Sequence, residues 1–325
     1  MSPSSTKSRL RPLLTALLVV LWGAVGGCDG CSSNASEADD GKPLVVTTTT
    51  MLDDLSEQLG GDAVRVEGIM APGGDPHIYQ PTPSDARLIA KSDLVVTSGL
   101  KLEGWINDLV RNAGGERPVI VASDGVDPIK EEGTEEGVDP HFWFDLQSWK
   151  IAVDNVGEGL VELVGEDSPE ADAIRTRQKA YKEQNDRLHE WILARMDTIP
   201  DKQRVLITSH DAFAYFGRTY GIDVVGIQGI STDQEASQRD VANIVDIVDE
   251  RGAPAVFVET SVNPALIKQV ARETGVEVAG PLYSDSIGAE GTPAGTFIGT
   301  VIENVGMITR ALGGEYQPFD QKEQR

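Results

Sequence analysis

Cysteine is scarce. Two in 325 residues exclude a disulfide-stapled scaffold and a cysteine-built zinc site. Positive charge is scarce too: 28 Lys and Arg stand against 52 Asp and Glu, a formal net charge of −24. That balance argues against a surface made for a phosphate backbone, so no nucleic-acid partner is expected. The chain has no Walker-type phosphate loop, no glycine-rich dinucleotide fingerprint after its first strand pattern and no G-x-S-x-G elbow, which removes the common nucleotide-dependent and serine-hydrolase chemistries. Four histidines are few enough to be placed one by one. What is present, 40% hydrophobic and 25% charged residues, is the composition of a folded globular protein. The length suits two domains of ordinary size.

The N-terminus reads as an export signal. Lys7, Arg9 and Arg11 form a basic start, and Leu13 to Val25 is an apolar run interrupted only by Thr15 and Gly23. The run is too short for a comfortable membrane span. It ends in Val25-Gly26-Gly27-Cys28, which resembles a bacterial lipobox, so residues 1–27 are expected to be a signal peptide and Cys28 the lipidated residue. Loss of three basic side chains would take the formal charge from −24 to −27. Cys31 completes a C-x-x-C with Cys28, but it lies in a small, polar, acidic stretch with no strand–helix unit around it, so redox chemistry is not expected. Residues 28–43 read as a flexible tether.

From Leu44 onward, short β-branched runs alternate with helical patterns. Strands are expected at Leu44–Thr50, Val64–Met70, Leu94–Thr97 and Val119–Ala122, then at Val205–Thr208, Val224–Ile227, Ala255–Glu259 and Val276–Ala279. Helices fit the intervals, among them Ser84–Ala90 with Ser84 as its N-cap, Leu146–Val164 and Thr296–Ala311. The alternation predicts an α/β fold of two lobes, residues 44–167 and 203–325, each a mainly parallel sheet with flanking helices. Between them, Pro169–Met196 carries no internal Gly or Pro. Ala171, Ile174, Gln178, Tyr181, Asn185, Leu188 and Ile192 fall on one face. A helix of that length is about 40 Å long, and the segment 168–198 is expected to join the lobes once, as a stiff rod.

Three histidines fall in loops that follow strands: His77 in Gly73-Gly74-Asp75-Pro76-His77, His141 in Asp139-Pro140-His141-Phe142-Trp143-Phe144-Asp145, and His210 in Thr208-Ser209-His210-Asp211. Open α/β sheets bind ligands at the carboxyl ends of their strands. Spacings of 64 and 69 residues are unlike a local zinc finger, and such a site would form only when both lobes fold. Imidazoles with a carboxylate suit zinc and other transition metals. His189, within the long helix, reads as a solvent-facing residue.

Six segments carry a resemblance. They are Tyr79–Asp85 (YQPTPSD), Leu102–Trp105 (LEGW), His141–Asp145 (HFWFD), His210–Phe216 (HDAFAYF), Gly229–Asp233 (GISTD) and Tyr283–Asp285 (YSD). In order, and spanning about Leu44 to Leu312, they resemble the solute-binding lipoproteins of zinc/manganese ABC importers. The resemblance implies two lobes bridged by one helix and one Zn2+ or Mn2+ per chain as cargo. It implies ligands at His77, His141, His210 and Asp285; Asp285 is selected by the resemblance alone. It also implies a membrane permease as partner, an exported and lipid-anchored location at the cell envelope, and a monomer. Asp145, Asp211 and Glu235 are candidates to orient the ligands or simply to cap helices.

Departures and rivals stay open at this point. The stretch Glu131–Gly137 is short and acidic, where many zinc-specific members carry a long His-rich loop. Ala214 stands where Gly is common, and Leu146 where a Pro often follows. A metal-dependent hydrolase is the first alternative, although four protein ligands would close the position that a catalytic zinc keeps for water. Adhesion is the second, as an added role; no recognisable adhesion motif is present.

Overall fold

The computed structural model describes residues 41–130, 137–233 and 236–320. The expected signal peptide, most of the tether with Cys28, all but the last residue of the acidic stretch Glu131–Gly137, Glu235 and the last five residues lie outside them. No helix among the described residues is long and apolar enough to cross a membrane.

The first lobe is built on β1 (Leu44–Thr47), β2 (Arg65–Gly68), β3 (Leu94–Thr97) and β4 (Val119–Val121), in the order β2-β1-β3-β4. Every pairing is parallel, for example Val45 opposite Val66 and Leu94. The two central strands share the sequence LVVT and are wholly buried, as expected of parallel strands covered on both faces. Around them lie α1 (Thr50–Gly60), α2 (Pro83–Lys91), α3 (Ile106–Ala113) and α4 (Leu146–Val164). Several boundaries differ from the sequence reading by a few residues, and two of them sit at polar contacts. Strand β1 stops at Thr47, and the next residue, buried Thr48, gives its hydroxyl to buried Glu103. Helix α2 starts at Pro83 with Thr82 as its cap, not Ser84. The Asp85 carboxylate accepts both the Thr82 N–H (2.6 Å) and its hydroxyl (2.9 Å), and proline suits the first helical position.

The long helix α5 spans Pro169–Met196. Ser168 caps it by accepting from the Ala171 N–H at 3.1 Å. Its buried stripe includes Ala171, Ile174, Tyr181, Asn185, Leu188 and Ile192. Gln178 lies at the stripe's edge and donates to Val153 O and Asp154 on α4.

The second lobe holds β5 (Val205–His210), β6 (Asp223–Gln228), β7 (Ala255–Glu259) and β8 (Glu277–Leu282). They form two parallel hydrogen-bonded pairs, β5 with β6 and β7 with β8, and β5 runs beside β7. Helices α6 (Ala214–Tyr220), α7 (Gln238–Arg251), α8 (Ala265–Thr274) and α9 (Phe297–Ala311) cover them.

The lobes are joined by more than α5. One apolar core runs from Val45 and Leu55 through Trp149 and Ile174 to Phe213 and Val305. Phe297 of α9 stacks on Trp149 of α4 at 4.3 Å. Buried Asp54 of α1 accepts the Phe297 N–H at 2.8 Å, and Thr50 accepts the Ile287 N–H at 3.0 Å.

Candidate metal centre

Each candidate ligand sits at the carboxyl end of a strand or in the segment that follows it. His77 is in the loop after β2, His141 directly before the turn Phe142–Phe144 that leads into α4, His210 is the last residue of β5, and Asp285 follows β8. The fold brings the four to one point. A ligand atom from each lies within 4.8 Å of those of the other three. His77 Nε2 is 3.1 Å from His141 Nε2. Asp285 lies between the other two rings, with Oδ1 3.5 Å from His141 Nε2 and Oδ2 3.4 Å from His210 Nε2. His141, His210 and Asp285 are fully buried, whereas His77 is only partly so.

Two carboxylates hold the rings from behind. Asp139 Oδ1 is 2.7 Å from His141 Nδ1 and also accepts the His141 backbone N–H at 2.9 Å. Glu259, the last residue of β7, repeats the pattern: Oε2 is 2.6 Å from His210 Nδ1, and Oε1 accepts the His210 N–H at 3.0 Å. A proton held on His141 Nδ1 leaves that ring's Nε2 lone pair for the centre. Tyr215 donates its hydroxyl to Asp139 O at 2.8 Å, and Trp143 donates to Ser284 O at 2.9 Å. These bonds fix the loops that carry His141 and Asp285. Ser261 donates to Asp285 Oδ2 at 3.0 Å.

Asp139 and Glu259 were not singled out by the sequence. A signal existed for each: Asp139 lies two residues before a candidate ligand, and Glu259 puts a charge at the end of the apolar strand Ala-Val-Phe-Val. Of the acidic candidates that the sequence offers, Asp145 and Asp211 are among the described residues. Asp145 caps α4, accepting from Gln147 N at 3.0 Å and Ser148 Oγ at 2.8 Å, and contacts no candidate ring. Asp211 is near the rings, but its Oδ1 is buried with no hydrogen-bond partner. His189 is half-buried against Tyr220, Nδ1 to hydroxyl 3.0 Å, and not solvent-facing as its helix position suggested.

Charge is concentrated here. Burial works against protonation of His141, but the Asp139 and Asp285 carboxylates outweigh it and push the ring up to about 9. Burial is likewise overcome at His210, where Glu259 and Asp285 hold the imidazole well above its ordinary value. Asp285, against its own burial, is held well below the usual carboxylate range by His210 and His141. Among the described residues His77 has no carboxylate against its ring like those behind the other two, and burial pulls it down to about 4. Burial and the neighbouring Asp139 charge raise Asp211 to about 6.

A buried knot of three imidazoles facing one carboxylate, assembled from strand ends of both lobes, is the arrangement that the sequence motifs implied. The family model described as zinc-uptake complex component A, periplasmic (ZnuA), matches residues 45–311. The chain belongs to the ZnuA family. Similar members include the manganese-binding lipoprotein MntA of Bacillus subtilis, 38% identical over 92% of this chain and 98% of its own length. The zinc-binding protein TroA of Treponema pallidum is 35% identical over 90% of this chain and 96% of its own. The solved structure of the Treponema pallidum periplasmic zinc-binding protein TroA superposes with a TM-score of 0.80 at 35% identity, covering 84% of this chain and 99% of that one. This ZnuA-family chain therefore shares fold and near-complete length with relatives named for manganese and for zinc.

Proposed function

We propose that the protein is an extracytoplasmic solute-binding lipoprotein that captures one divalent transition metal, zinc or manganese, and delivers it to the permease of an ABC importer. His77, His141, His210 and Asp285 are the ligands. The observation that carries this reading is the convergence of their donor atoms. His210 Nε2 and Asp285 Oδ1 are buried and make no hydrogen bond, and two imidazole nitrogens point at the same spot 3.1 Å apart. Unpartnered buried polar groups are costly, and a cation at the centre satisfies all four at once. A tetrahedral ion with bonds of about 2.0–2.1 Å separates its ligands by roughly 3.3–3.4 Å; three of the contacts here are 3.1, 3.4 and 3.5 Å, and the whole set lies within 4.8 Å.

Binding, not catalysis, follows from the ligand count. Four protein donors close the sphere and leave no position for an activated water. Asp139 and Glu259 orient His141 and His210. Cys28 anchors the chain to the membrane through lipid, and the protein acts as a monomer with the importer's permease as its partner. Zinc titration of metal-free protein by calorimetry tests the reading. One site per chain is expected, strongly weakened by alanine at any of the four ligands and unchanged by His189→Ala. Two equal sites, or an indifferent His210→Ala, would refute it.

A further inference from the structure

His77 differs from its three partners. It is partly exposed, and it rides on a segment, Ala71–Thr82, whose residues are exposed or half-buried apart from Pro76. Its middle is held on the first lobe, where Trp105 Nε1 donates to Pro76 O, the residue between Asp75 and His77, at 3.1 Å. Its tip reaches across to the second lobe. The Asp75 carboxylate accepts the His77 backbone N–H on Oδ1 at 2.9 Å and the Thr232 hydroxyl on Oδ2 at 2.6 Å. Gly73 N donates to Ser286 Oγ at 2.8 Å, and Ser286 adjoins Asp285. A groove of about 390 Å³ is lined by Asp75, Ile78 and Thr232 together with Ser261, the hydrogen-bond partner of Asp285. Solvent thus reaches the latching pair and Ser261, which donates to the buried Asp285.

We infer that the segment carrying His77 is the gate of the metal centre, and that Asp75 and Thr232 are its latch, setting how long the ion stays bound. The inference rests on the metal-receptor reading. One carboxylate does two jobs: it shapes the turn that aims His77 and fastens that turn to the opposite lobe. With the latch open, His77 withdraws while His141, His210 and Asp285, buried and braced by their own partners, remain in place. The ion is then held by three ligands and open to water along the groove. Asp75 and Thr232 are positioning residues; neither touches the ion.

The test is zinc release into a chromogenic chelator, followed by stopped flow on the full-length protein. Thr232→Val removes the hydroxyl and keeps the shape. It should release zinc roughly tenfold faster, the effect of losing one hydrogen bond to a charged group, while still loading one zinc per chain. Thr232→Ser restores the hydroxyl and should return the rate to near that of the parent. Ser286→Ala should accelerate release less, because it removes a hydrogen bond between neutral groups. Hydrogen exchange at the Gly73 and His77 amides in the zinc-loaded protein should speed up in Thr232→Val. Normal zinc loading with an unchanged release rate and unchanged exchange in that variant overturns the latch alone. A parent protein that takes up no stoichiometric zinc overturns the receptor reading and the latch with it.

Discussion

Glu259 grips His210 at two points, its Oε2 2.6 Å from the ring Nδ1 and its Oε1 accepting the backbone N–H at 3.0 Å. Strands β5 and β7 run side by side, so their last residues meet, and the carboxylate positions the ring. Outer partners of this kind typically contribute about 10–100-fold in metal affinity. Glu259→Gln is therefore expected to weaken zinc binding by roughly that factor without changing the stoichiometry. A competition titration against a calibrated chelator checks this; an unchanged affinity would reduce Glu259 to a structural role.

Metal uptake should expel protons. In the metal-free protein His141 titrates at about 9 and His210 well above its ordinary value, so both are protonated near neutral pH and must lose a proton to coordinate. Affinity should rise with pH up to about 9 and fall toward acid. His77, pulled down to about 4, adds nothing to this slope above that range. Calorimetry in buffers of different ionisation enthalpy should show proton release at pH 7.

The same shifts set the stability of the metal-free protein. A raised folded-state histidine pKa contributes stability that is fully present below about 6.5 and is lost as pH rises through about 9. Its contribution to stability should therefore decline across that window, and bound zinc should restore it. Urea titrations at pH 6.5 and 9, with and without zinc, measure this. A metal-free protein that grows more stable toward pH 9 would contradict the assignment.

Zinc should bind more tightly than manganese in vitro. Manganese stands lowest in the divalent affinity order, and three imidazoles with one carboxylate favour zinc further. Zinc also accepts four-coordination readily. Competition between the two ions at equal concentration decides the point, and manganese displacing zinc would refute it.

The lobes should tilt little on binding metal. Helix α5 has no interior Gly or Pro, and the stack of Trp149 on Phe297 at 4.3 Å, inside one continuous core, resists hinge bending. X-ray scattering profiles with and without zinc should nearly overlay; a large fall in radius of gyration would contradict this. Phe297→Ala opens that core and should cost about 3–5 kcal/mol of stability, measurable by denaturant titration.

Local pattern was enough for much of the architecture. The 28-residue helix α5 shows in its stripe of apolar positions, because every turn of a helix repeats the same demand for burial. Strand β3 and helix α4 were legible to the residue for similar reasons. The three candidate histidines stood out because histidine is rare here, four in 325 residues, and each fell after a strand. The carboxylates are the opposite case. With 52 Asp and Glu in the chain, residue type alone selects none of them. Asp285 needed its family motif, while Asp139 and Glu259 were hidden until the strands were placed. Asp145, open in the sequence to either orienting a ligand or capping a helix, caps a helix. A carboxylate's role depends on which donor lies within about 3 Å of it, and here that donor can belong to a strand 49 residues away. The sequence by itself determined most of the elements and marked the rare histidines as candidates. Only the packing of two lobes into one core decided which of many acids face them.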